Sequence, residues 1–399
     1  MAKRVVLAYS GGLDTSVCVR WMAEEWGVDV VALAADVGQG EDLAAARQRA
    51  LDAGAVESIV VDCREEFARD FVGPAIRANA LYEGKYPLVS SLSRPLIARK
   101  LVEAARQTGA DAVAHGCTGK GNDQVRFEVS VRALAPDIEV LAPVREWGMT
   151  RDDAIEYAKR FDIPVSATKA KPYSIDQNLW GRAVECGAIE DPWAAPPADV
   201  YEMTVPDPGA EQREVVVAFE AGLPVAIDGR SMPLHELVTE MRLLAGSYGF
   251  GRLDMIENRR VGIKSREVYE APGALALIHA HQHLEDITVE RDLHHEKARL
   301  EPRWAELVYD GLWFSPLKEA LDAFVDASQR WVTGEVRLRM EPWRVVAVGR
   351  RSPVSLYDHD LATYDADDSF RHQDAAGFVR LWGLGVQTWA QRQARQARP

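Results

Sequence analysis

Paired cysteines are missing from this sequence. Its four cysteines, Cys18, Cys63, Cys117 and Cys186, stand far apart and form no CxxC pair. Neither a zinc knuckle nor a disulfide framework is suggested, and reduced thiols in a cytosol fit best. A basic excess is also missing: 47 Lys and Arg against 61 Asp and Glu give a formal net charge of −14. Nucleic acids and anionic membrane surfaces require clustered cations, so neither is an expected partner. No apolar run approaches the roughly 18 residues of a membrane span. The run Val5–Tyr9 is too short, and too soon followed by Asp14, to read as a signal peptide. A cytoplasmic protein is expected. Internal repeats and low-complexity segments are absent as well.

What is present is a chain of 399 residues, 47% hydrophobic and 27% charged, enough for roughly two or three domains. Its first part alternates short apolar runs (Val5–Ala8, Val28–Ala34, Ser58–Val61, Asp111–Ala114, Ile138–Ala142) with helical periodicity, as at Leu13, Val17 and Trp21 or at Leu96, Ile97, Leu101 and Val102. Uninterrupted apolar runs suit strands buried on both faces, so a parallel sheet covered by helices is predicted. Thr150 and Asp153 read as a capping box opening another helix. The rhythm changes after about Ile163. A proline-rich connection follows, then a hairpin from Glu214–Glu220 and Pro224–Ile227 around Gly222 and Leu223. A helix after Ser231 carries Leu234, Val238, Met241 and Ala245 and is expected to stop at Gly246. Another opens at Ser315-Pro316, with Leu317, Leu321, Phe324 and Ser328 on one face. Val336, Leu338 and Met340 alternate as a strand paired with Val345–Val348. This second part is α+β. The last stretch, Phe378–Pro399, exposes Trp382 and Trp389, and an arm docked on another subunit competes with a self-docked helix.

The strongest local signal is Ala8-Tyr9-Ser10-Gly11-Gly12-Leu13-Asp14-Thr15-Ser16, set between a strand and a helix. Its glycines let backbone N–H groups approach an anion, and the helix aims its positive end at the loop. Ser10, Thr15 and Ser16 add hydroxyl donors. The dinucleotide fingerprint GxGxxG does not fit, because Gly11 and Gly12 are adjacent. The mononucleotide loop does not fit either, because no lysine follows. A loop with Asp14 and no lysine suits pyrophosphate as a leaving group screened by magnesium. The SGGxDT pattern resembles the pyrophosphatase loop of the N-type ATP pyrophosphatases.

A second glycine-rich loop, His115-Gly116-Cys117-Thr118-Gly119-Lys120-Gly121-Asn122-Asp123-Gln124-Val125-Arg126-Phe127-Glu128, follows the run Asp111–Ala114. Both loops lie at the carboxyl ends of strands, where open parallel sheets bind ligands. Its donors Thr118, Lys120, Asn122 and Arg126 suit carboxylates. Together with Ala35–Gly40, Tyr82–Pro95, Lys171–Leu179, Gly249–Gly273, Ala305–Gly311 and Gly377-Phe378, these segments resemble the argininosuccinate synthase family, in family order across nearly the whole chain.

That resemblance implies an ATP-binding domain at 1–165, a synthetase and multimerisation domain at 166–362, and a C-terminal arm at 363–399 in a homotetramer. It implies that citrulline and aspartate are joined to argininosuccinate while ATP and its magnesium yield AMP and pyrophosphate. ATP would lie on Ala8–Ser16, with Ala35 and Gly116 near the nucleoside. Citrulline would be held by Tyr86, Ser91, Asn122, Arg126, Ser174, Glu257 and Tyr269, and aspartate by Thr118, Asn122 and Asp123. Asp14, Asp123 and Arg126 are the candidate catalytic residues. Arg126 suits a fork to citrulline's carboxylate, Glu257 suits its ammonium, and Asp123 would position or deprotonate the attacking amine. The chain departs from the family in two places: Ala183 stands where many relatives carry a second substrate-binding serine, and Cys117 replaces a common alanine.

Other features read as structural. His279, His281 and His283 alternate in a helical setting and read as surface or packing residues, so no resident metal site is expected. Most of the eleven tryptophans read as packing and interface. The alternatives are a tRNA-thiolating ATP pyrophosphatase, which would want catalytic cysteines and a basic face, and an inactive nucleotide-binding protein.

Overall fold

A computed structural model describes residues 3–40, 42–164, 173–364 and 369–396. The domain boundary expected at 165/166, and Lys171 of the matched segment, lie outside these residues. Residues 1–354 form one compact unit and 355–399 a second.

The five apolar runs are the five strands β1 (Arg4–Ala8), β2 (Asp29–Asp36), β3 (Glu57–Asp62), β4 (Ala112–Ala114) and β5 (Glu139–Leu141). They form a parallel sheet in the order β3-β2-β1-β4-β5. Alternation along the strands sends side chains to two cores. Val5, Leu7, Val30 and Ala32 meet Val17, Ala154 and Ile155 on one face. Val6, Val31 and Leu33 meet Leu101, Phe127 and Val131 on the other. Burial on both faces is why the runs contain so little polar interruption. The chain winds outward from β1 to β3, then crosses to β4 and β5 on the far side of β1. The loops after β1 and β4 therefore leave in opposite directions and open a crevice at the switch point. Thr150 and Asp153 do form a reciprocal capping box on the helix Arg151–Arg160.

The remaining strands are β6 (Ser174–Asn178), β7 (Gly181–Glu185), β8 (Arg213–Glu220), β9 (Leu223–Ile227), β10 (Arg230–Ser231), β11 (Arg252–Asn258), β12 (Lys264–Glu270), β13 (Gly334–Glu341) and β14 (Arg344–Arg351). One antiparallel sheet runs β11-β12-β7-β6 and a second runs β10-β9-β8-β13-β14. The first of these sits against the helix Val89–Thr108. Asn178 donates to the Val89 carbonyl at 2.7 Å, and Trp180 donates through its indole to the Pro87 carbonyl at 2.7 Å. The second buries Val215, Val217, Val336 and Leu338 with Leu237, Met241 and Leu277 of the helices Leu234–Ser247 and Pro272–Thr288.

Three local expectations change. The hairpin turn is Ala221-Gly222, both at positive φ (46° and 78°), so Leu223 opens β9 instead of turning. Ser231 belongs to β10, and the helix that follows starts at Leu234 and runs through Gly246 to Ser247. Gly246 is there because a Cβ would collide with the Met203 carbonyl oxygen. In the helix Pro316–Gln329, Ser315 caps the Lys318 amide at 3.3 Å, as expected. The inward face there is Lys318, Leu321, Val325 and Ser328, while Leu317 points outward.

In the second unit, His372–Trp382 and Leu384–Gln396 are helices whose Leu381, Trp382, Val386 and Trp389 are exposed. Among the described residues, no helix is long and apolar enough to cross a membrane.

Candidate active site

The first glycine loop closes on itself through short polar contacts. Ser10 Oγ and Thr15 Oγ1 lie 3.1 Å apart, and the Gly12 amide donates to Ser10 Oγ at 3.4 Å. Gly11 takes a left-handed φ of 74°, which a side chain would resist. Gly12 caps the helix Leu13–Trp21 with no side chain of its own, leaving first-turn N–H groups available to an anion. Leu13 and Ser16 turn inward. Leu13 joins the core, and Ser16, fully buried, shares a 2.9 Å hydrogen bond with Tyr9 Oη. Ala8, Tyr9, Ser10 and Thr15, with Ala35 and Gly116, line a cavity of about 590 Å³. Asp14 lines a smaller adjoining cavity of about 300 Å³. Gly11, Gly12, Leu13 and Ser16 are on the wall of neither.

The second loop packs directly on the first. A Cβ on Gly116 would lie 2.9 Å from Thr15 Cγ2, so glycine permits the approach. Gln124 ties the loop down, donating to the carbonyls of Gly119 at 2.6 Å and Gly121 at 3.1 Å. The helix Asp123–Leu134 then presents Asp123 and Arg126 to the smaller cavity. Asp123 accepts from Arg94 Nε at 2.9 Å and from Arg126 Nη1 at 2.7 Å. Arg94 also donates to Asp176 at 2.7 Å. Burial opposes the Asp123 charge, but Arg94 and Arg126 outweigh it and hold the carboxyl well below the usual carboxylate range. Such a group is a poor proton acceptor and a good fixed acceptor of hydrogen bonds. Arg126 is itself partly spent, since its Nε donates to the Tyr309 carbonyl at 3.0 Å. Asn122 is held between Tyr309 Oη, to which it donates at 2.8 Å, and the Arg260 amide, from which it accepts at 3.0 Å.

The antiparallel sheet supplies the opposite wall. Glu257 on β11 and Glu267 on β12 both meet the Tyr269 hydroxyl, at 3.2 and 2.6 Å. Arg259 bridges Glu267 at 2.8 Å and Glu185 of β7 at 2.6 Å. Tyr269 stacks on Tyr86 with ring centres 4.1 Å apart. Burial, then the charge of Glu267, pushes the Glu257 carboxyl up to about 9. Thr118, Ser174 and Ala183 line the same cavity. Ser91 does not: it is fully buried and its hydroxyl has no hydrogen-bond partner, while the neighbouring Ser90 faces the cavity. Ser10, Arg94, Gly116, Cys117, Asp123, Ile175 and Asp176 border both cavities.

Sequence reasoning named Asn122, Asp123, Arg126, Glu257 and Tyr269 but gave no role to Arg94, Asp176, Glu185, Arg259, Glu267 or Tyr309. Apart from Glu185, these fall inside the matched segments. Only their contacts, made across the fold, single them out. Among the described residues no three His, Cys, Asp or Glu side chains group to hold a metal. His281 is packing: its ring nitrogens lie 2.7 Å from Asn79 Oδ1 and 2.8 Å from Gln329 Oε1 in the core.

The family profile described as the arginosuccinate synthase N-terminal HUP domain matches residues 4–164, and that described as the arginosuccinate synthase C-terminal domain matches residues 173–389. Argininosuccinate synthase of Halalkalibacterium halodurans is 56% identical over 390 residues, 97% of this chain and 95% of that one. The Bacillus licheniformis protein of the same name is 57% identical over 384 residues, covering 96% and 95%. That of Synechococcus sp. strain RCC307 is 56% identical over 398 residues, covering 99% and 98%. A solved structure, the U34-tRNA thiolase NcsA from Methanococcus maripaludis, overlaps 43% of this chain and 60% of that chain at 16% identity. Its TM-score of 0.27 is too slight a likeness to bear on function.

Proposed function

The chain belongs to the argininosuccinate synthase family, and we propose that its larger cavity takes ATP and its smaller one the two amino acids. The enzyme ligates citrulline to aspartate, forming argininosuccinate while ATP is cleaved to AMP and pyrophosphate through a citrullyl-adenylate. A ureido oxygen is a poor leaving group, and adenylation makes it a good one. The observation that carries our division of roles is the wall common to both cavities.

In this reading the nucleoside rests against Ala8, Ala35 and Gly116. The phosphates lie over Ser10, Thr15 and the open first turn of the helix Leu13–Trp21. Magnesium bound to those phosphates would screen their charge. Asp14, within the loop, is an oxygen ligand of the kind that ion takes. Citrulline extends toward Glu257 with its ammonium, while Tyr86, Tyr269, Ser174 and Asn122 surround it. Arg126 offers its remaining N–H groups to the carboxylate. Aspartate binds by Thr118, Asn122 and Asp123, and Asp123, clamped by two guanidiniums, orients the amine and does not take its proton. Holding three reactants in register supplies much of the rate.

We assign residues 1–165 to ATP binding, 166–362 to the substrates and 363–399 to an arm that packs on neighbouring subunits of a cytoplasmic homotetramer. The exposed tryptophans of that arm support the last assignment. The test is isotope exchange between ATP and pyrophosphate. Exchange should require citrulline and magnesium and proceed without aspartate. Release of ADP and inorganic phosphate would overturn the reading.

A further inference from the structure

The acidic wall of the smaller cavity holds more carboxyl groups than its hydrogen bonds can satisfy as anions. Glu257 Oε2 and Glu267 Oε2 lie 3.2 and 2.6 Å from the same phenol oxygen, Tyr269 Oη. A phenol has one proton to give. The shorter contact, to Glu267, takes it. Glu267 is further held by Arg259, at 2.8 Å, which also binds Glu185 at 2.6 Å. Among the described residues Glu257 has no cation of its own, only the shared fields of Arg126 and Arg259. The other facing cation, Arg126, is committed to Asp123 at 2.7 Å and to the Tyr309 carbonyl at 3.0 Å. The remaining titratable groups in its field, Tyr82, Tyr86, Tyr269 and Tyr309, are all pushed upward by burial and stay neutral. Glu257 is 2% exposed, so water offsets little of the deficit.

A buried carboxylate facing a second carboxylate and a phenol oxygen is repelled by both unless it carries a proton. A protonated Glu257 donates to its neighbours and removes the conflict. We propose that the free enzyme holds a proton on Glu257, kept there by its burial and by Glu267, and exchanges it for the α-ammonium of citrulline, so that citrulline binding releases one proton to solvent. The exchange balances: the Glu257 O–H bond breaks, its proton leaves to buffer, and the anion left behind pairs with the incoming ammonium. Glu267 is thus a positioning residue, acting through Glu257 and not on the reacting atoms. The inference rests on the reading that citrulline's ammonium meets Glu257.

The direction of the pH effect follows. Below about 9, where burial and Glu267 hold Glu257 protonated, raising the pH removes the proton that citrulline must otherwise displace. Affinity for citrulline therefore rises with pH, about tenfold per unit while one full proton is released. The test is calorimetric titration of citrulline into the whole enzyme at pH 7.5, in buffers of different ionisation enthalpy. About one proton should leave per citrulline bound in the wild type. Glu267→Gln, which keeps the hydrogen bond from Tyr269 but removes the charge, leaves burial in place, so it should lower the number and move the rise of citrulline affinity to lower pH. Glu257→Gln should abolish the release, and stands in if the first variant does not fold. A wild-type proton count near zero, full release in Glu257→Gln, or a pH dependence of Kd in Glu267→Gln identical to wild type overturns the proposal. Absence of any citrulline binding to the wild type would instead overturn the site reading on which it rests.

Discussion

At position 183 a methyl group stands in the wall of the smaller cavity, with Asp176 opposite it on one neighbouring strand and Tyr269 on the other. A serine there would add one hydroxyl to a wall that already carries Ser174. A net hydrogen bond is worth about 1 kcal/mol, so Ala183→Ser should lower KM for citrulline about fivefold at constant kcat. Steady-state kinetics with citrulline varied would check it, and an unchanged KM would mean that no ligand atom lies within reach. Residue types at this scale were readable to the extent that they sat in a motif. Asn122 and Asp123 are adjacent and Arg126 follows one turn later, on one helix start, and their convergence follows from helical geometry. Arg94 and Asp176 meet only because the helix Val89–Thr108 packs under β6, a contact that neither residue's surroundings in the chain announce. Ser91, which the resemblance places at citrulline, is buried off the cavity wall. One position along a helix turns a side chain through about a quarter of the circle, and it is Ser90 that faces the cavity.

The loops after β1 and β4 are the elements on which the proposed chemistry depends, and they approach each other tightly at Gly116 and Thr15. Gly116→Ala would bring a methyl to 2.9 Å of Thr15 Cγ2, so that Thr15, with its hydrogen bonds to Ser10, or the loop itself must shift. Because small displacements of a bound reactant are costly, the variant should raise KM for ATP by about tenfold or more and leave the circular dichroism unchanged. An ATP KM equal to wild type would show that the loops are free to separate. The five parallel strands were legible because double-sided burial leaves an unbroken apolar signature. Chain reversals were less so. Ala221 in a left-handed turn has no signature in its type, and Gly246, read as a helix stop, is instead a gap through which the Met203 backbone passes. Glycine marks several different demands, and only the neighbours tell them apart.

For the molecule as a whole, the unpaid account is the second unit. Phe378, Leu381, Trp382, Val386 and Trp389 leave large apolar surfaces exposed, more than isolated surface residues would explain. If subunits of a tetramer cover them, Trp382→Glu with Trp389→Glu should shift the protein to smaller species in light scattering coupled to size exclusion. A tetramer that survives both changes would locate the assembly surface elsewhere. The existence of an apolar arm was visible in composition alone; its surroundings were not, since a second copy leaves no trace in one chain.

If ATP and the amino acids divide as proposed, the border shared by the two cavities has one more effect. An activated ureido carbon made at such a border is born facing its next reactant and has no corridor to cross. When the amine is in short supply, the way back through pyrophosphate stays open at the same spot. A cell poor in aspartate would then see the first half of the reaction idle to and fro, with its nucleotide recovered and not squandered.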